Sequence, residues 1–203
     1  MKQSIGFDLD MTLLDTDRAL LETLRNVFPA AQHLLSEPFL VSISGLPLSE
    51  ILEKLAKSDE VGEAREKFMT IYPTLAPAAS RLFPGALESL NLVADLGFEP
   101  IIVSAKTSTN LDLLIEHFQL PVRHKFGGLH GVAKAHTLSQ NNSILYVGDQ
   151  ESDVLAAHAA GIPAVRIIRN AHFHPPTQAE WVLKDMLEFA RWFKVWSQNI
   201  RTE

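Results

Sequence analysis

Three short stretches of the chain are apolar almost without a break, and each stops at a small or acidic polar residue. Residues 3–9 run through Ile5, Phe7 and Leu9 into Asp8 and Asp10; Pro100-Ile101-Ile102-Val103 ends at Ser104; Ser143-Ile144-Leu145-Tyr146-Val147 ends at Gly148-Asp149. A fourth run covers 163–168. None is long enough for a helix, and continuous rather than alternating apolarity belongs to strands covered on both faces, hence to a parallel sheet wrapped by helices. The intervening segments supply those helices. Gly85 to Gly97 carries Ala86, Leu87, Leu90, Val93 and Ala94 and closes on glycine, and Asp153 to Gly161 stops in the same way. From residue 84 onward the order is β-α-β-α, which predicts an α/β fold with a doubly wound, Rossmann-like parallel sheet.

Residues 16–82 break this rhythm. They show helical spacing at Ala19, Leu20, Leu24 and Val27, at Ile51, Leu52 and Leu55, and at Phe68, Ile71 and Tyr72, with no convincing buried strand. The spacing predicts an all-helical insertion, with 1–15 and 83–203 forming the core. Pro73, Pro77 and Pro84-Gly85 are read as breakers at its far edge, where the chain returns to the sheet. Glu180 to Trp196 is amphipathic through Trp181, Val182, Met186, Phe189, Trp192 and Phe193 and is expected to be a packing helix.

Composition narrows the chemistry. The chain has no cysteine, so disulfides, thiolate metal sites and a cysteine nucleophile are excluded, and any metal must be held by Asp, Glu or His. A formal net charge of −6 without a basic run offers nucleic acid or an anionic membrane nothing to hold. The early charge at Asp8 does not suit a signal peptide, and no stretch approaches the about 20 apolar residues of a membrane span. A small-molecule partner and a cytoplasmic location are the expectation.

Asp8 and Asp10 stand two apart at a strand end, and i and i+2 of an extended segment point to one side. Two carboxylates crowded together push one pKa upward unless a cation intervenes or their roles divide. By itself the pair is equally compatible with an exposed strand end that binds nothing. Gly148-Asp149-Gln150-Glu151-Ser152-Asp153 adds two acids where another strand gives way to a helix, the edge at which open α/β sheets bind ligands. Asp153 could also act only as a helix N-cap. An all-oxygen set suits Mg²⁺. Ser104 and the backbone N–H groups from Ala105 onward could hold a phosphate oxygen at a helix start. Lys134 stands near a predicted helix beginning, where a cation opposes the helix dipole, although an isolated surface lysine is also an ordinary reading.

Taken together, Asp-x-Asp-x-Thr at 8–12, Ser104, Lys134 and Gly-Asp-x-x-x-Asp at 148–153 resemble the haloacid dehalogenase superfamily and its phosphatase branch. The resemblance covers residues 3–16 and 84–170, and the insertion at 16–82 falls where the phosphoglycolate phosphatase-like subgroup places a small helical cap. It implies Asp8 as nucleophile, Asp10 as acid and then base, and Thr12, Ser104 and Ala105 as phosphoryl contacts. Lys134 would neutralise charge, and Asp8, the Asp10 backbone carbonyl, Asp149 and Asp153 would surround Mg²⁺. The implied activity is hydrolysis of a small phosphate monoester such as phosphoglycolate or a sugar or nucleotide phosphate. A phosphomutase or other phosphotransferase would use the same core. A non-catalytic phosphate-binding module would lack the nucleophile or the acid, and both are present.

Two departures stand out: Met11 where many relatives have glycine, tolerable if its backbone angles are ordinary, and Ala105 where many have asparagine. Within the insertion, Arg18, Arg25, Ser44, Gly45, Lys54 and Lys57 are candidate substrate contacts, with Ser42 to Pro47 the turn most worth watching.

Overall fold

The structure is a computed structural model and describes residues 2–43, 46–169 and 176–200. In chain order the strands are β1 (Ser4–Phe7), β2 (Leu14–Asp15), β3 (Arg81–Leu82), β4 (Glu99–Val103), β5 (His124–Phe126), β6 (Ser143–Gly148), β7 (Ala164–Ile167) and β8 (Trp181–Leu183). The α-helices are α1 (Asp17–Val27), α2 (Glu37–Ile43), α3 (Leu48–Glu53), α4 (Val61–Ala79), α5 (Ala86–Asp95), α6 (Ser108–His117), α7 (Ala133–Gln140), α8 (Glu151–Ala159) and α9 (Met186–Asn199). The chain divides into two compact units, residues 1–14 with 82–203, and residues 15–81.

The first unit is an α/β core. Six strands pair in the order β5-β4-β1-β6-β7-β8, and the described pairings are parallel. Alternation along β1 shows why both faces must be covered. Phe7 meets Phe189 of α9 edge to face at 5.5 Å between ring centroids. One residue earlier, on the opposite face, Gly6 leaves room for Leu138 of α7 and Tyr146, which a Cβ there would meet at 2.6 and 2.8 Å. Helices α5 and α9 therefore cover one face and α7 and α8 the other, the doubly wound arrangement that the apolar runs called for. Phe7 pairs with Ile102 on one side and Val147 on the other, so the chain leaves β1, β4 and β6 at one edge, at Asp8, Ser104 and Gly148-Asp149.

One expectation for this unit needs correcting. The C-terminal segment is not one helix from Glu180: Trp181–Leu183 pairs with β7 as an edge strand, and α9 starts after Asp185, whose carboxylate accepts from the Glu188 N–H at 2.7 Å. Apolar spacing carries through both elements because Trp181 packs against Trp192 with tilted rings and against Trp196 edge to face. β5, at the other edge, is three residues long, with exposed polar side chains at His124 and Lys125 and no apolar run to announce it.

The second unit is helical except for its ends in β2 and β3, which form a two-stranded ribbon. Pro73 and Pro77 do not break it; both lie inside the 19-residue α4. A proline in a helix interior costs about 3 kcal/mol through a lost hydrogen bond and a ring clash. Here Ala64, Phe68, Tyr72, Ala76 and Ala79 form a buried stripe packed on α1, and that burial holds the helix through both prolines.

Candidate active site

The carboxyl edge of the core sheet concentrates buried charge. Asp8 follows β1 and is 6% exposed, Lys134 lies in the first turn of α7 and is 4% exposed, and Asp153 lies in the first turn of α8 and is 3% exposed. Lys134 Nζ donates to Asp8 Oδ1 at 2.8 Å and to Asp153 Oδ1 at 2.7 Å. Lysine is almost never this deeply buried without partners, so the surface-lysine reading fails, and its unfavourable place at a helix start has its reason in two carboxylates. Lys134 Nζ also lies 5.4 Å from the centre of the Tyr146 ring, whose hydroxyl donates to the Val103 carbonyl at 2.6 Å.

Asp149 completes the group. One oxygen from each of Asp8, Asp149 and Asp153 lies within 4.8 Å of the others. Three carboxylates stand against one ammonium, and burial and mutual repulsion shift Asp8 and Asp149 the same way. Burial, with Asp153 and Asp10 adding to it, pushes Asp8 up to about 7 despite the opposing pull of Lys134. Burial and the neighbouring Asp153 and Asp8 raise Asp149 well above the ordinary carboxyl range. Burial alone would lower the Lys134 pKa, but Asp8, Tyr146 and Asp153 outweigh it and hold the ammonium well above its usual value. A clustered, all-oxygen donor set short of positive charge fits a hard divalent cation such as Mg²⁺.

Asp153 holds both of its possible roles at once. Its Oδ2 accepts from the Gln150 N–H at 3.1 Å, closing a capping box at the start of α8, while Oδ1 faces Lys134. Gly148 makes this possible, since a Cβ there would sit 2.3 Å from Asp153 Oδ2.

Thr12 is fully buried, and its hydroxyl donates to Asp149 Oδ1 at 3.4 Å. Ser104 is also buried, and its Oγ accepts from the Lys106 N–H at 3.3 Å across the turn that contains Ala105. The Asp10 carboxylate is not one of the clustered three; it pairs with Lys106 at 3.1 Å. Of the insertion candidates, Arg18 pairs with Glu22 at 2.7 Å and Arg25 donates to the Leu35 carbonyl at 3.0 Å. Ser44 and Gly45 lie outside the described residues.

Met11 needs a correction, because its φ is 55°. The left-handed region costs a residue with a Cβ roughly 1–2 kcal/mol, so its backbone is not ordinary. Three cations near this edge went unassigned in the sequence. Lys106 reaches Asp10. Arg166 is buried on β7, where it donates to the Asp149 carbonyl at 3.0 Å and to Glu151 Oε2 at 2.8 Å. Arg169, two residues beyond β7, donates to the carbonyls of Met11 and Thr12. The strand-end rule that singled out Ser104 and Asp149 would have found Arg169 if applied to the fourth run.

A model of the haloacid dehalogenase-like hydrolase family matches residues 5–127, more than half of the chain. The chain belongs to this family. As a whole this haloacid dehalogenase-like hydrolase is similar to proteins named phosphoglycolate phosphatase. One, from Mannheimia succiniciproducens, is 24% identical over 92% of this chain and 96% of its own length. Another, from Agrobacterium fabrum, is 28% identical over 79% of this chain and 78% of its own. Among solved structures, a haloacid dehalogenase-like family protein from Streptococcus pneumoniae superimposes with a TM-score of 0.77 at 19% identity, covering 95% of this chain and 98% of the other. A haloacid dehalogenase-superfamily hydrolase from Geobacter sulfurreducens does so with a TM-score of 0.68 at 18% identity, covering 94% and 96%. At those identities the likeness speaks for the fold, which agrees with the six-stranded sheet. No helix among the described residues is long and apolar enough to cross a membrane.

Proposed function

We propose that this hydrolase is a magnesium-dependent phosphatase that cleaves a small phosphate monoester through an aspartyl-phosphate on Asp8. The observation that carries the reading is the buried group in which Lys134 joins Asp8 to Asp153, with Asp149 alongside. A carboxylate must attack a dianionic phosphoryl group, and only concentrated positive charge lets two anions meet. Held by Asp8, Asp149, Asp153 and the Asp10 backbone carbonyl, Mg²⁺ would supply the charge that Lys134 alone does not.

An Asp8 oxygen forms a bond to phosphorus as the bond to the ester oxygen breaks, and Asp10 gives that departing oxygen its proton. Water then attacks the acyl-phosphate, Asp10 removes a proton from that water, and inorganic phosphate and the Asp8 carboxylate are released. The Lys106 pair suits the second half of this cycle, since an ionised Asp10 is the base. Thr12, Ser104 and the backbone from Ala105 hold phosphoryl oxygens. Lys134 keeps the nucleophile oriented and neutralises charge as phosphorus approaches.

The helical insertion is assigned the choice of substrate, as a cap. Since relatives named phosphoglycolate phosphatase match nearly the whole chain, a short phosphorylated carboxylic acid is the first substrate class to try. The test is phosphate release from p-nitrophenyl phosphate and from a panel of phosphorylated metabolites, with MgCl₂ and with chelator, by wild type and Asp8→Asn. Magnesium-dependent release by wild type and none by the folded variant are expected. Activity that survives chelation, or that Asp8→Asn retains, would sink the mechanism.

A further inference from the structure

The turn after β1 folds tightly on itself. The Met11 N–H donates to the Leu14 carbonyl at 2.7 Å, and the N–H groups of Thr12, Leu13 and Leu14 all converge on the Leu9 carbonyl at 3.3, 2.9 and 3.0 Å. Met11 enters this turn at a φ of 55°, a conformation that glycine adopts freely and methionine does not. The Met11 and Thr12 carbonyls accept none of these N–H groups, and Arg169 takes both. One guanidinium nitrogen donates to the Met11 carbonyl and the other to that of Thr12 at 2.7 Å. The fork itself is braced, for its central carbon lies 3.5 Å from the centre of the Phe83 ring. Phe83 in turn donates its N–H to the Leu13 carbonyl at 3.0 Å, so the brace is tied to the same turn.

We infer that Arg169 is a positioning residue: by gripping two successive carbonyls it holds the turn that carries Asp10 and Thr12, and so lets the chain place methionine where the backbone asks for glycine. A planar fork with parallel donors can span two carbonyls; a lysine ammonium on a flexible stem cannot fix both. The inference rests on the roles given above to Asp10 and Thr12, while the clamp on the turn is a matter of structure and can be read without turnover.

Arg169→Ala, Arg169→Lys, Met11→Gly and the two combinations with Met11→Gly are compared by p-nitrophenyl phosphate kinetics at saturating MgCl₂ and by hydrogen exchange over residues 9–14. A turn misplaced by about an ångström loses up to about 100-fold in rate, so Arg169→Ala is expected to lower kcat by about 10- to 100-fold with KM nearly unmoved. Exchange across 9–14 is expected to accelerate. Adding Met11→Gly should recover a large part of the lost kcat, because the turn then forms without the clamp. A purely structural arginine would give no such recovery. If Arg169→Ala does not fold, Arg169→Lys carries the same expectations. Turnover within twofold of wild type in a folded Arg169 variant, unchanged exchange, or no recovery on adding Met11→Gly overturns the clamp. A wild type inactive on every monoester, with exchange still accelerated in the Arg169 variants, would sink the phosphatase reading and leave the clamp standing.

Discussion

The ion pairs of the core edge and those of the helical unit use similar residues at almost the same distances, in opposite surroundings. Lys134 meets Asp153 at 2.7 Å with side chains 5% and 4% exposed; Lys67 meets Glu63 at 2.7 Å with side chains 55% and 70% exposed. On the helix each partner keeps its water, salt screens the attraction, and the pair follows from i,i+4 spacing alone. At the sheet edge Asp8, Asp153 and the ammonium are largely stripped of water, with Asp149 half-buried beside them, a state that replacement by apolar side chains often improves. A fold has little reason to keep such a group for stability. Its cost is intelligible if the charges are there to meet another charge.

The most severe way to break the comparison is to remove the cation. Lys134→Met keeps an unbranched stem of similar length and takes away the ammonium between Asp8 and Asp153. Breaking a buried pair costs about 3–5 kcal/mol because the remaining charge is uncompensated. Loss of one donor aimed at developing charge costs roughly 100- to 1,000-fold in kcat. Both losses are expected, in thermal melts and in p-nitrophenyl phosphate kinetics, and MgCl₂ should return part of the stability and little of the rate. A variant as active as wild type would place Lys134 outside the chemistry.

Proton linkage sharpens the same contrast. Unfolded, Asp8 ionises near 3.8; folded and metal-free, it holds its proton up to about 7, so between those values the native state binds more protons than the unfolded one. Stability from this source is complete below about 4 and is lost as pH rises through 7, and Asp149 acts in the same direction. A divalent cation favours the ionised carboxylates and should oppose the loss. The gain in Tm on adding MgCl₂ is therefore expected to grow from pH 5 to pH 8, and to grow less steeply in Asp8→Asn, where only Asp149 still contributes. A gain independent of pH would mean that the cation binds elsewhere.

What the sequence disclosed follows the same division. Buried parallel strands declare themselves by continuous apolarity, so β1, β4, β6 and β7 and the acids leaving their ends were legible at once. The edge strands were not, because His124–Phe126 and Trp181–Leu183 are three residues long and mostly uncovered, and pairing rather than composition makes them strands. The start of α9 is legible, since Asp185 with Glu188 three residues later is a capping signature. Pro73 and Pro77 signal a break by local propensity, and the buried stripe of α4 overrides that signal. Among the residues named from the motifs, Asp8, Lys134, Asp149 and Asp153 lie together, while the Asp10 carboxylate turns to Lys106. Lys106 has no such signal, because a lysine in a loop carries no periodic signature, and for Arg169, just past the fourth apolar run, only the three-dimensional turn shows what it holds.

The smallest effect belongs to the exposed pairs, and it tests whether burial rather than pairing separates the two regions. Glu63 in α4 has its pKa lowered by its hydrogen bond to Lys67 and by the charge of that lysine, and Arg18 in α1 is held above its usual value by its contacts with Glu22. Judged by shift alone, both pairs look stabilising, but all four side chains stand in water, where the solvent offsets most of what the partner provides. Glu63→Gln is therefore expected to leave Tm within the scatter of the measurement, at low salt as at high, and to leave kcat for p-nitrophenyl phosphate unchanged. Arg18→Ala should be equally silent in the melt. In the kinetics it is the sharper probe, since an arginine that only decorates α1 changes nothing, whereas one that meets a substrate's acidic end raises KM for phosphorylated acids and not for p-nitrophenyl phosphate. A melting loss comparable to that of Lys134→Met in either variant would show that pairing itself, and not burial, sets the energy of these contacts.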